Sequence, residues 1–278
     1  MTGSLRLTIL GCGSSGGVPR FGGPDGKGEW GACDPNEPRN RRSRCSVLVE
    51  RKHADYGYDH DKITSFLIDT APDMREQLLR AQCSRLDGVA FTHDHADQCH
   101  GIDDLRVFAI AMQKRIPVFV EQETAGNILS RFDYCFKQTP GSSYPAILEQ
   151  REMPANGSKG IINGPSGEIA FIPFLQYHGA VNSLGFRIGD IAYTSDAVGL
   201  PEESFATLHG VKVWIVDALQ PTPHKTHAHL DMALEWIAQV KPERAILTNM
   251  HVSMDYQTLK RSLPDNVEPA YDGLVIES

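Results

Sequence analysis

The chain has 278 residues, of which 41% are hydrophobic, and a formal net charge of −8 at pH 7. This length and apolar content suit one large core, so we expect a single domain over residues 1–278. The acidic net charge argues against binding of extended nucleic acid, because such binding requires a basic face. No run is long and apolar enough to cross a bilayer, and the 6 cysteines lack paired spacing, which together predict a cytoplasmic protein with reduced thiols.

Apolar periodicity predicts strands and helices in alternation along the chain. Strands are predicted over residues 5–10, 45–50, 63–69, 87–91, 117–120, 169–175, 183–188, 191–194, 211–216 and 244–247. Helices are predicted over residues 72–80, 102–114, 122–132, 231–240 and 256–262. Between residues 134 and 167, proline, glycine and serine interrupt the pattern, and we interpret this segment as loops near the mouth of a site.

A glycine-rich turn, residues 11–19, follows the first predicted strand. Glycine permits a close approach of the backbone to a ligand, so the backbone N–H groups and the hydroxyls of Ser14 and Ser15 form a candidate phosphate site. A tight turn that serves only the fold is the alternative.

An arginine-rich stretch, residues 38–46, precedes the second predicted strand. Guanidinium groups match the geometry of phosphate oxygens, and the rest of the chain is acidic. Arg41 and Arg42 are therefore candidate substrate-binding residues, with a solvated basic loop as the alternative.

Residues 92–98, with the sequence THDHADQ, lie between a predicted strand and a predicted helix. Residues i and i+2 of an extended or turning backbone point to the same side, so His93 and His95 can converge on one metal ion. Asp97 then reaches toward a neighbouring ion. A solvated polar loop is the alternative for this segment.

Three later strand-like segments each end on a further candidate ligand. These ligands are His178, Asp196 and His251. Ligands placed on successive loops at the ends of strands are the usual way in which a rigid sheet holds a metal site.

Together these residues resemble the pattern of metallo-β-lactamase-fold hydrolases, which is H-x-H-x-D-H followed by a His, an Asp and a His. The resemblance implies an α/β four-layer αββα sandwich that binds one or two divalent metal ions, either zinc or manganese. It assigns His93, His95 and His178 to a first metal position, Asp97, Gln98 and His251 to a second, and Asp196 to the bridge between them. Asp69 matches an early aspartate that supports the site.

Two positions depart from the family pattern. Gln98 replaces the last histidine of the first motif, and its amide oxygen is a weaker ligand for zinc than imidazole. The second position is therefore expected to bind its metal loosely, or to prefer manganese or iron. His251 lies two residues beyond the usual Leu-Thr-His position, so a shifted turn must bring it to the metal.

Within this fold, the glycine turn and the arginine stretch resemble those of cyclic-phosphate phosphodiesterases of bacterial phosphonate catabolism and, more distantly, ribonuclease Z. The resemblance implies that His227 donates a proton to the leaving alkoxide, which suits a side chain that titrates near neutrality. A surface cluster or an additional metal ligand is the alternative role for His227 and for the neighbouring His224 and His229. These relatives often form dimers, so a homodimer is expected.

The relatives also carry a structural zinc on a cysteine-rich loop after the glycine turn. Residues 21–36 of this chain contain Cys33 as their single cysteine. The structural zinc is therefore predicted to be absent, and another interaction must hold this loop.

We therefore predict a metal-dependent hydrolase with Asp97 and His227 as catalytic residues and a small cyclic-phosphate or nucleotide-like phosphodiester as substrate. Hydrolysis at carbon, of a thioester or a lactone, is an alternative because the same fold hosts both chemistries. A protein that binds a metal or a phosphorylated ligand without turnover, through a weakened second metal position, is the alternative from a different class.

Overall fold

The structure is a computed structural model that describes residues 4–52, 62–138 and 140–278. The strands of its first sheet are β1 (Leu5–Gly11), β2 (Ser46–Arg51), β3 (Thr64–Ile68), β4 (Gly88–Ala90), β5 (Ile116–Val120), β6 (Leu148–Glu152) and β14 (Leu274–Glu277). Their spatial order is β14-β1-β2-β3-β4-β5-β6. Strands β3 to β6 run parallel to one another, whereas β14, β1 and β2 pair antiparallel with their neighbours.

The strands of the second sheet are β7 (Gly160–Gly164), β8 (Gly167–His178), β9 (Val181–Ile188), β10 (Ile191–Thr194), β11 (Val213–Asp217), β12 (Arg244–Thr248) and β13 (Val267–Pro269). Their spatial order is β13-β12-β11-β10-β9-β8-β7. Strands β10 to β13 are parallel, and β8 and β9 form a long antiparallel hairpin that ends beside His178.

The helices are α1 (Met74–Arg80), α2 (Ala96–Cys99), α3 (Arg106–Met112), α4 (Gln122–Phe136), α5 (Glu202–Leu208), α6 (Leu230–Val240) and α7 (Tyr256–Ser262). Pro38–Asn40 and Ile102–Leu105 form 3₁₀ turns. Within the described ranges, no helix combines the length and apolar character needed to cross a membrane.

The two sheets pack face to face, with helices on both outer sides. Successive residues of a strand point to opposite faces, and accordingly Val47 and Val49 of β2 join the core between the sheets while Leu48 packs in the outer cluster. That outer cluster includes apolar residues of α1, α3 and α4. Residues of α5, α6 and α7 cover the second sheet. The predicted α/β four-layer αββα sandwich is confirmed.

The predicted strands and helices are present in the structure, with several additions. The predicted helix over residues 102–114 begins as a 3₁₀ turn and continues as α3. The interpretation of residues 134–167 as loops was wrong for β6 and β7, which lie there, whereas residues 153–156 between them line a cavity together with Thr92 and Asp94. Strand β6 has the sequence LEQRE with four exposed residues, so it carries no apolar pattern by which a strand is recognised.

Arg42 cross-links the loop over residues 21–36 to another part of the chain. The buried Arg42 guanidinium donates to Met254 O at 2.7 Å and to Asn40 Oδ1 at 3.2 Å, and it lies 3.9 Å from Cys33 Sγ. Arg42 therefore joins the loop to the segment before α7. The prediction that Arg42 binds substrate was wrong, because this guanidinium is enclosed by the protein.

Asp255 provides a second anchor at the same place. Its carboxylate caps α7 by accepting from Thr258 N at 2.8 Å, and it also accepts from Asn40 Nδ2 at 2.7 Å and from Asp34 N at 3.2 Å. Burial raises the pKa of Asp255, but these hydrogen bonds outweigh burial and lower the pKa to about 2.

We expect Asp255→Ala to reduce the free energy of unfolding at neutral pH by about 1–2 kcal/mol, as for loss of a helix N-cap. The folded pKa lies below the unfolded value of about 3.9, so the contribution is complete above that pH and is lost as pH falls toward 2. Urea unfolding at neutral pH and near pH 2.5 measures the difference, with exposed Asp265→Ala as the control. If Asp255→Ala were as stable as the wild type at neutral pH, Asp255 would not stabilise the loop and α7 as proposed.

Candidate metal centre

The carboxyl ends of strands from both sheets meet at one edge of the sandwich, and the candidate ligands lie there. His93 and His95 follow β4, and His178 is the last residue of β8. One ligand atom from each of these three histidines lies within 4.8 Å of the others. The structure thus brings together the three residues predicted for the first metal position.

The geometry of these imidazoles fits a divalent ion. His178 Nε2 and His95 Nδ1 are 3.3 Å apart. Two nitrogens that bind one tetrahedral zinc at about 2.05 Å lie roughly 3.3 Å from each other. His93 Nε2 is buried without a hydrogen-bond partner among the described residues, as expected for an atom that binds a metal.

Neighbouring oxygens orient two of the rings. His178 Nδ1 donates to Thr226 O at 2.7 Å, which leaves the Nε2 lone pair directed into the group. His93 Nδ1 lies 2.9 Å from Thr92 Oγ1, which donates to Asp69 Oδ2 at 2.9 Å. A proton on His93 Nδ1 directs its Nε2 lone pair to the ion. Asp69 thus acts on His93 indirectly, by accepting the hydrogen bond of the Thr92 hydroxyl that lies beside the ring.

Burial favours the neutral form of these ligands. It lowers the pKa of His93 to about 4, although the carboxylate of Asp196 opposes the shift. Burial also lowers the pKa of His178. Neutral imidazole is the form that binds metal, so both rings are ready to bind an ion at neutral pH.

Asp196 lies between this group and a second one. It follows β10, and with His178 and His227 it forms a group whose ligand atoms lie within 4.8 Å of one another. Asp196 has a left-handed backbone (φ 55°), as do Asp69 (φ 64°) and Asn249 (φ 60°), which also follow strand ends. Left-handed non-glycine residues are uncommon and cluster at functional sites.

The amide nitrogen of Gln98 points toward the carboxylates of Asp97 and Asp196. Its Nε2 donates to Asp196 Oδ2 at 3.1 Å and lies 3.4 Å from Asp97 Oδ2, and the side chain is fully buried. Asp97 lies beside Asp196, and burial together with the Asp196 charge raises the pKa of Asp97 to about 6. The predicted residues Asp97 and Gln98 are thus adjacent to Asp196, although Gln98 does not present a metal ligand in this orientation.

His251 lies outside both groups. Its Nδ1 is 3.1 Å from Ser253 Oγ and accepts from Ser253 N at 3.2 Å. Asn249 instead occupies the centre, with Nδ2 at 3.1 Å from His227 Nδ1. The expectation that a shifted turn brings His251 to the metal was wrong, because the turn keeps Asn249 at the position where the family pattern has histidine. The sequence Leu-Thr-Asn at residues 247–249, in place of the family's Leu-Thr-His, was the signal that Asn249 takes the histidine position.

His227 pairs with a buried aspartate that the sequence analysis missed. Its Nδ1 lies 3.0 Å from Asp217 Oδ2 and 4.0 Å from Asp196 Oδ1. Burial of the ring lowers the pKa of His227, but the carboxylates of Asp217, Asp196 and Asp97 outweigh burial and raise the pKa to about 9. Asp217 ends β11, and a strand that closes on an acidic residue was the signal for it.

The other histidines near this position have different surroundings. His224 is exposed, with its ring centroid 5.3 Å from that of His227. His229 is the N-cap residue of α6 and belongs to neither group of ligand atoms among the described residues.

The glycine turn lies beside the centre. Ser14 N donates to Met250 O at 3.2 Å, and the buried Ser14 Oγ has no hydrogen-bond partner among the described residues. Ser15 and Arg41 are exposed, and Arg41 stacks over Trp30 at 5.1 Å. A groove of about 540 Å³ runs along this turn and the arginine stretch.

Residues 64–250 match the family described as Beta-lactamase superfamily domain. Among solved structures, a diphosphatase from the PhnP family is 29% identical, with a TM-score of 0.83, and the match covers 100% of this chain and 98% of that chain. Zinc-bound PqqB from Methylobacterium extorquens is 14% identical, with a TM-score of 0.72 over 98% of this chain and 99% of that chain. Human tRNase Z, short form, is 15% identical, with a TM-score of 0.62 over 98% of both chains.

A curated relative, an octanoyltransferase of Porphyromonas gingivalis (strain ATCC BAA-308 / W83), is 28% identical over 272 residues. The match covers 97% of this chain and 51% of that protein, so the chain spans about half the length of the curated relative. The family match covers more than half of the chain, and the three-histidine group suits a divalent ion. The chain therefore belongs to the beta-lactamase superfamily.

Proposed function

We propose that the chain hydrolyses a small phosphodiester, either a cyclic phosphate or a nucleotide-like compound. The observation that carries this proposal is the position of His227, whose ring centroid lies 4.7 Å from that of the metal ligand His178. A proton donor beside a metal position is what cleavage of an ester with a poor leaving group requires. The likeness to a diphosphatase at 29% identity also supports reaction at phosphorus.

The chain supplies distinct groups for each part of this reaction. The divalent ion, when bound by His93, His95 and His178, contributes Lewis acidity and allows water to act as a nucleophile at neutral pH. Asp217 holds His227 Nδ1, which leaves Nε2 as the nitrogen that donates a proton to the leaving oxygen. The pKa of about 9 keeps His227 protonated at neutral pH.

The glycine turn is the proposed phosphate-binding element. Its backbone contacts Met250, directly after Asn249 of the centre, and Ser14 brings an unpartnered hydroxyl to this place. Ser15 and Arg41 are exposed, and we propose them as further donors to the phosphate. Guanidinium and hydroxyl donors stabilise the charge that develops on phosphoryl oxygens. We propose that the metal is zinc or manganese. The cytoplasmic location, the single domain and the homodimer remain predictions.

We expect His178→Ala to lower the metal-dependent hydrolysis of bis(p-nitrophenyl) phosphate by more than about 100-fold, because it removes one of three ligands of the first position. The assay uses metal-stripped protein that is reloaded with zinc or manganese. His209→Ala, at an exposed histidine after α5, is the matched control and should retain full turnover. Full metal-dependent turnover by His178→Ala would contradict the proposed site. Turnover of an octanoyl thioester with no turnover of phosphodiesters would move the reaction to carbon.

We expect His227→Gln to affect substrates according to their leaving group. A 2′,3′-cyclic nucleotide releases an alkoxide, which needs a proton, so its turnover should fall by roughly 10²–10⁴-fold. Turnover of bis(p-nitrophenyl) phosphate should fall much less, because p-nitrophenolate leaves without protonation. His224→Gln, in the neighbouring exposed histidine, is the control. Equal losses for both substrates would show that His227 is not the proton donor.

A further inference from the structure

The second metal position of this fold does not fit the side chains of this chain. Gln98 and Asn249 stand where the family pattern has histidines, and both amides are buried at the centre. An amide nitrogen has no lone pair for a metal, and only the amide oxygen can bind one. Two imidazole ligands of a second ion are therefore missing at once.

The Gln98 amide directs its N–H to the carboxylates, and its buried Oε1 has no hydrogen-bond partner among the described residues. Its Nε2 donates to Asp196 Oδ2 at 3.1 Å and faces Asp97 Oδ2 at 3.4 Å. These oxygens are the carboxylate ligands that a second ion would require. The reversed amide would place its oxygen against two carboxylates, which repel it, so the N–H orientation is the stable one when no ion is present.

Asn249 lies beside His227 and offers no imidazole. Its Nδ2 is 3.1 Å from His227 Nδ1, the nitrogen that donates to Asp217 Oδ2 at 3.0 Å, so this contact joins two donors and is not a hydrogen bond. Asp217 is fully buried, and its Oδ2 also accepts from Ala197 N at 2.9 Å. The amide of Asn249 therefore stands at the centre where the family pattern has an imidazole.

We propose that the centre is mononuclear. One divalent ion binds to His93, His95 and His178, with Asp196 at its side. The amides of Gln98 and Asn249 stand where a second ion would need imidazoles, and Gln98 Nε2 donates to Asp196 Oδ2. This inference rests on metal binding at the centre and not on the phosphodiester reaction, so metal content and turnover can fail independently.

The metal content of the protein tests this proposal. The purified full chain is stripped, dialysed against excess zinc or manganese, and measured by inductively coupled plasma mass spectrometry. We expect about one ion per chain in the wild type and in His209→Ala, and clearly less than one in His178→Ala. Two tightly held ions in the wild type would overturn the proposal.

Two variants test which side chains limit the metal content to one ion per chain. Gln98→His combined with Asn249→His restores both imidazoles, and we expect its metal content to rise to about two ions per chain. Asp97→Asn removes a carboxylate that only a second ion would need, and we expect it to retain about one ion per chain. This second variant keeps the proposal falsifiable if the double variant does not fold. A loss of metal on Asp97→Asn that is as large as the loss on His178→Ala would overturn it.

Discussion

The convergence of three imidazoles from two different sheets is the constraint on which the site depends. His93 and His95 follow β4 of the first sheet, whereas His178 ends β8 of the second. Their distances are therefore set by how the two sheets pack, through the shared core that includes Phe66, Phe171 and other buried side chains. Close-packed cores resist small displacements, so a site built across them is rigid before an ion arrives.

The electrostatics of the centre divide it into two halves. On one side, burial keeps His93 and His178 neutral, so their lone pairs are available to a metal. On the other side, the buried carboxylate of Asp217 holds His227 as a cation. His178 belongs to both groups of ligand atoms, and Asp196 lies with it and His227 in the second group. The proposed single ion and the protonated His227 would together face the carboxylate of Asp196.

The sequence was sufficient for the fold and for the grouping of the three histidines, because both leave local patterns. Strand periodicity and the alternate histidines at residues 93 and 95 are examples. Contacts between distant residues were not predictable. Arg42 resembled its arginine neighbours, yet it is buried against Met254, more than two hundred residues away. The choice between Asn249 and His251 depended on the path of one turn, for which Leu-Thr-Asn, in place of the family's Leu-Thr-His, was a local signal.

X-ray absorption at the zinc edge of the zinc-loaded protein counts the atoms that bind the ion. We expect three imidazole nitrogens and at least one oxygen at about 2.0–2.1 Å, with no metal neighbour. In the His178→Ala protein, one imidazole contribution should be lost. A zinc bound by sulfur, by fewer than three imidazoles, or beside a second zinc in the wild type would show that the three-histidine, single-ion centre is wrong.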